Sequence, residues 1–60
     1  MEKIRYTIEF EMGDEHFENE VDAFGIGELL NKDLTLLIPG EPYARVIPAN
    51  CIRSITEERR

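Results

Sequence analysis

The stretch IRYTIEFEMGDEHFENEVDA, residues 4–23, decides the fold. Ile4, Tyr6, Ile8, Phe10 and Met12 alternate with Arg5, Thr7, Glu9 and Glu11. That period of two marks a strand with one dry and one wet face. Gly13-Asp14 follows, with glycine at the first central position, where a type II′ hairpin turn needs a positive φ. His16 to Asp22 read as the returning strand. Closing the hairpin there sets Met12 against Glu15, Phe10 against Phe17, Ile8 against Asn19, Tyr6 against Val21 and Ile4 against Ala23. That face is dry apart from Asn19. On the wet face Glu11 meets His16, Glu9 meets Glu18, Thr7 meets Glu20 and Arg5 meets Asp22. A slip of one residue would exchange the faces, so the pattern fixes the register. One pair in it is unfavourable: Glu9 opposite Glu18 costs a few tenths of a kcal/mol, up to about 1.

Outward from the hairpin, Ala23 to Asn31 reads as either a short strand or a single helical turn. Gly25 and Gly27 weaken any helix there by roughly 1 kcal/mol each, and Glu28-Leu29-Leu30 are the residues left to form the turn, near Gly27–Asn31. Asn31-Lys32-Asp33 is a turn. Leu34 to Ile38 form a third strand with Leu34, Leu36 and Ile38 on one face, which leaves Leu37 on the other. Pro39-Gly40 suits the centre of a type II turn. Tyr43 to Ile47 form a fourth strand, preceded by Pro42. Pro48-Ala49-Asn50 breaks it as a tight 3₁₀-like turn, and Cys51 to Thr56 form the fifth strand. Ile52 and Ile55 are three apart, so both reach the core only through a bulge or a helical turn. Glu57 to Arg60 form a charged, frayed tail.

The chain is therefore mainly β: one domain over residues 1–60, built as a small antiparallel sheet or a five-stranded, partly open barrel. The run Val46-Ile47-Pro48-Ala49-Asn50-Cys51-Ile52-Arg53-Ser54-Ile55 is a strand, a tight turn and a closing strand. In outline it resembles the small barrels of the Src-homology or Sm type. The likeness covers about a sixth of the chain, concerns the fold alone and carries no functional residue across. There is no tryptophan for a proline-rich-peptide groove, and the Sm-type RNA-binding signature is missing.

Composition narrows the function. The formal net charge is −6, and it is unevenly distributed. From Glu9 to Glu28 there are eight carboxylates and no Lys or Arg. Such a surface disfavours direct binding to nucleic-acid phosphates or to an anionic membrane, and it favours a basic protein partner. No segment has the length of a membrane-spanning helix, and the N-terminus alternates where a signal peptide would carry an apolar run. Cys51 is the single cysteine, which fits a reducing cytoplasm and an inert, buried thiol.

The candidate chemistry lies on the wet face. Glu9, Glu11, His16, Glu18 and Glu20 share it, but their spacing matches no calcium loop or zinc motif. A flat strand face should also splay them, so no metal ligand is assigned. Glu9 with Glu18, and Cys51 with His16, can be written as catalytic pairs. Neither has a pocket or an orienting third group, so no catalytic or cofactor-binding residue is assigned. Three consecutive apolar residues, Leu36-Leu37-Ile38, mean that Leu37 is either covered by the Ala23–Asn31 segment or sits at an interface. The expected function is non-enzymatic: a small protein-binding module acting through exposed strand edges, with Glu9, Glu11, His16, Glu18 and Glu20 as an acidic docking face. Leu37 is the apolar contact, with self-association into a homo-oligomer expected. The alternative is an inhibitor, of the kind common in phages and mobile elements, whose carboxylates mimic nucleic acid and block a basic cleft of a host protein. A small-ligand site at a dimer interface is a weaker alternative.

Overall fold

The computed structural model describes residues 2–58. Strand β1 (Ile4–Met12) and strand β2 (Glu15–Ala23) form an antiparallel hairpin. Its register is the one the alternation dictates, from Ile4 opposite Ala23 to Met12 opposite Glu15. Gly13 takes a φ of +63° while Asp14 stays out of the positive region, as a type II′ turn requires.

The remaining strands are short. β3 (Leu34–Leu36) pairs with β4 (Arg45–Ile47), and β5 (Ile52–Glu57) lies along the other side of β1. The result is two antiparallel sheets, one of three strands in the order β2–β1–β5 and one of two, β3–β4. Among the described residues the only helical pieces are two 3₁₀ turns, Ile26–Glu28 and Ala49–Cys51. The first resolves the ambiguous segment in favour of a helical turn, centred slightly earlier than Glu28-Leu29-Leu30. Leu29 and Leu30 both donate back to the Ile26 carbonyl, at 2.9 and 3.0 Å. The second gives the strand–turn–strand unit seen in the sequence: Cys51 N–H donates to the Pro48 carbonyl at 2.9 Å. Asp33 ties this turn to the start of β3, its carboxylate accepting from the Ala49 amide at 2.9 Å.

The core lies between the two sheets. Tyr6, Ile8 and Phe10 from β1 meet Leu34, Leu36, Ile38 and Ile47, with Ala23 and Leu29 at the rim; all are buried. Phe10 is fully enclosed and stacks on Phe17, with ring centres 5.2 Å apart. β5 contributes both isoleucines through the expected bulge. Glu9 faces Ser54 and Phe10 faces Ile52, which leaves Arg53 as the extra residue.

Three elements differ from expectation. The third strand ends at Leu36 rather than Ile38. Ile38 enters a turn in which its carbonyl accepts from the Glu41 amide at 3.0 Å and Gly40 takes a φ of +90°, the type II geometry. The inside–outside alternation nevertheless continues through Leu37 and Ile38. The fourth strand begins at Arg45 rather than Tyr43, because Arg45 pairs with Leu36 and nothing further along β3 remains to face residues 43 and 44. Glu57 and Glu58 are not frayed: Glu57 closes β5 opposite Tyr6, and the Glu58 amide donates to the Arg5 carbonyl at 2.9 Å. Arg59 and Arg60 lie outside the described residues.

Candidate functional site

The hairpin register and the β5 bulge together build one outward face. β1 supplies Arg5, Thr7, Glu9 and Glu11, and β2 supplies His16, Glu18, Glu20 and Asp22. β5 adds Ser54 and the bulged Arg53. All five residues expected to form an acidic face are on it.

The basic side chains are spread along this face. At its base Arg5 reaches Asp22 Oδ1 at 3.3 Å and Glu20 Oε2 at 3.6 Å. The hydrogen bond to Asp22, and then the charges of Asp22 and Glu20, hold the guanidinium pKa above its ordinary value. Near the tip His16 lies between two carboxylates, with Nε2 3.3 Å from Glu9 and Nδ1 3.7 Å from Glu11. Arg53 Nε sits 3.5 Å from Glu11 Oε2, and the Ser54 hydroxyl donates to Glu9 Oε1 at 3.1 Å. All of these pairs stay in contact with solvent, where an ion pair adds little to stability.

Glu18 is the exception. It stands directly opposite Glu9 and, among the described residues, has no hydrogen bond or cation of its own. The donor atoms of Glu9, His16 and Glu18 all lie within 4.8 Å of one another, closer than a splayed strand face would bring them. One imidazole nitrogen and two carboxylates are donors a divalent cation accepts. Among the described residues no other trio of His, Cys, Asp or Glu approaches so closely.

Leu37 is not covered by the Ala23–Asn31 segment: it is 66 % exposed. The structure brings it to the border of the acidic face. A shallow depression of about 510 Å³ along β2 is lined by Thr7, Glu18, Asn19 and Glu20 on one side and by Leu37 and Pro39 on the other. Glu18 and Glu20 of the acidic face thus share one depression with the apolar Leu37. A smaller hollow of about 210 Å³ lies beside β5, lined by Leu29, Leu30, Ile52 and Ile55 among others. Cys51 is half-buried against the core and unpaired. Among the described residues no helix is long and apolar enough to cross a membrane.

Arg53 and Ser54 are the members of this face that sequence reasoning missed. The Ile52–Ile55 spacing signals the bulge, but nothing local says that β5 pairs with β1, and only that pairing carries Arg53 to Glu11. Comparison with protein-family models, characterised proteins and solved structures gives no match to this chain. The likeness to Src-homology and Sm-type barrels therefore stays at the level of one strand–turn–strand unit.

Proposed function

We propose that this chain is a non-enzymatic binding module whose acidic hairpin face docks a basic protein partner. The observation that carries the reading is Glu18. It faces another carboxylate at close range, and among the described residues its side chain makes no salt bridge or hydrogen bond, where Gln, Thr or Lys would serve the fold better. A residue that works against local stability is most simply understood as serving function. Catalysis asks for oriented groups in a water-excluding pocket. These carboxylates stand instead on an open sheet face, with Glu9 39 % and Glu20 65 % exposed. A reducing compartment such as the cytoplasm suits the single thiol of Cys51.

A second reading is that the face imitates a nucleic-acid backbone and occupies a basic cleft. It is supported by the regular placement of Glu9 and Glu11 on β1 and of Glu18 and Glu20 on β2, roughly 7 Å apart along each strand.

The test is capture from an extract of the source cell on immobilised wild-type chain and on the Glu9→Gln, Glu18→Gln, Glu20→Gln triple variant. The expected result is a basic protein held by wild type at low salt, released at moderate salt and absent from the variant. Equal capture by both would make the acidic face merely solubilising and would end the proposal. Displacement of the captured protein by a short DNA duplex would favour the mimic.

A further inference from the structure

The depression along β2 has a specific shape and charge. β2 ends the strand order β2–β1–β5. Among the described residues no backbone hydrogen bond between Glu15 and Asp22 leads anywhere except to β1. The outer row of β2 amides and carbonyls is thus free to receive another strand. Successive residues of an added strand point to opposite sides. On one side they would meet Glu18 and Glu20, two residues apart on β2. On the other they would meet Asn19, and Leu37 and Pro39 supply an apolar wall to the same depression.

We propose that the outer edge of β2 takes up an extended segment of a basic protein in which Lys or Arg alternates with an apolar residue. The alternate cations of such a segment repeat at roughly 7 Å, the repeat of Glu18 and Glu20 along β2. The residue between two cations then faces Leu37, which is 66 % exposed in the free chain, and main-chain hydrogen bonds run along the edge. A second copy of this chain is a poor occupant, because two β2 edges side by side would oppose rows of carboxylates. The inference rests on the docking role of the acidic face and adds the conformation and sequence pattern of what docks there.

The probe is a blocked peptide, Lys-Val-Arg-Val-Lys-Val-Arg, compared with Lys-Lys-Arg-Arg-Val-Val-Val of the same composition. Calorimetry at low salt should show the alternating peptide binding about tenfold tighter, a difference expected when alternate side chains meet different surfaces. N-methylation of its central valine-to-lysine amide should abolish that advantage. Amide protons of β2 should gain protection from exchange when it binds. Leu37→Ser should weaken the alternating peptide several-fold and leave the block peptide unchanged. Leu37→Thr, which places a β-branched polar side chain at this exposed position, should do the same, and the circular dichroism spectra should report a retained fold. Equal affinity for the two peptides, with both lost in the triple Gln variant, would overturn this inference and leave the acidic docking face standing. No binding of either peptide at low salt would overturn both.

Discussion

Replacing Glu18 by Gln should make the protein more stable, and the size of the gain follows from the register. Glu18 faces Glu9, with their nearest carboxylate oxygens no farther than 4.8 Å apart. At the dielectric of water, unit charges at that separation repel by about 0.9 kcal/mol. Splaying of the side chains and the nearby imidazole reduce this, so a gain of about 0.5–0.9 kcal/mol is expected, within the range for like charges directly opposed on a sheet. For a domain of this size that corresponds to a rise in melting temperature of roughly 4–7 °C. Thermal unfolding followed by circular dichroism at low salt reads it directly. The same melt at high salt should show a smaller difference, because screening removes the repulsion in the wild type. Glu20→Gln is the matched control: Glu20 faces Thr7 and lies 3.6 Å from Arg5, so its neutralisation should bring no gain. A Glu18→Gln chain that melts at or below wild type at low salt would refute the reasoning. So would a gain that is unchanged by salt.

Phe10→Ala should unfold the chain at room temperature or come close to it. The ring is fully enclosed and stacked on Phe17, and deleting a buried Phe costs about 3–5 kcal/mol, most of what a domain this small possesses; urea titration measures the loss. Asp33→Ala should cost about 1 kcal/mol by the same assay, because it leaves the Ala49 amide at the start of the second 3₁₀ turn without its acceptor. Tyr6 gives the pH dependence. Burial first, and then the charges of Glu57 and Glu28, push its hydroxyl above the ordinary tyrosine value of 10.0. The folded state therefore holds the proton more tightly than the unfolded state, and stability should fall as pH rises from about 10 towards the folded-state value. Ultraviolet titration of the phenolate alongside alkaline melts checks this, and a Tyr6 that ionises at 10.0 or below in the folded chain would contradict it.

The hairpin was legible in the sequence because both of its faces carry information. A slip by one residue would bury Glu9 and Glu11 and expose Ile8 and Phe10, so a single register survives. The two tight turns were legible for a related reason: Gly13 and Gly40 supply the positive φ that the type II′ and type II turns demand. The lengths of β3 and β4 were not, because the apolar alternation of Leu34, Leu36 and Ile38 outlasts the ladder. Burial and hydrogen bonding are separate requirements, and Ile38 meets the first without the second. The candidate site was half legible. Glu9, Glu11, Glu18 and Glu20 follow from the hairpin alone. Arg53, Ser54 and the adjacency of Leu37 to Glu18 depend on how distant segments pack, and no short-range pattern encodes that.

Glu18 joins the two halves of the account, since the charge that strains the hairpin is the charge proposed to bind. The most direct test is the affinity of the captured partner for wild type and for Glu18→Gln across a series of salt concentrations. The account predicts binding that weakens steeply with salt for wild type, and weaker, less salt-dependent binding for a variant that is itself more stable. Equal affinities with flat salt dependence would contradict it.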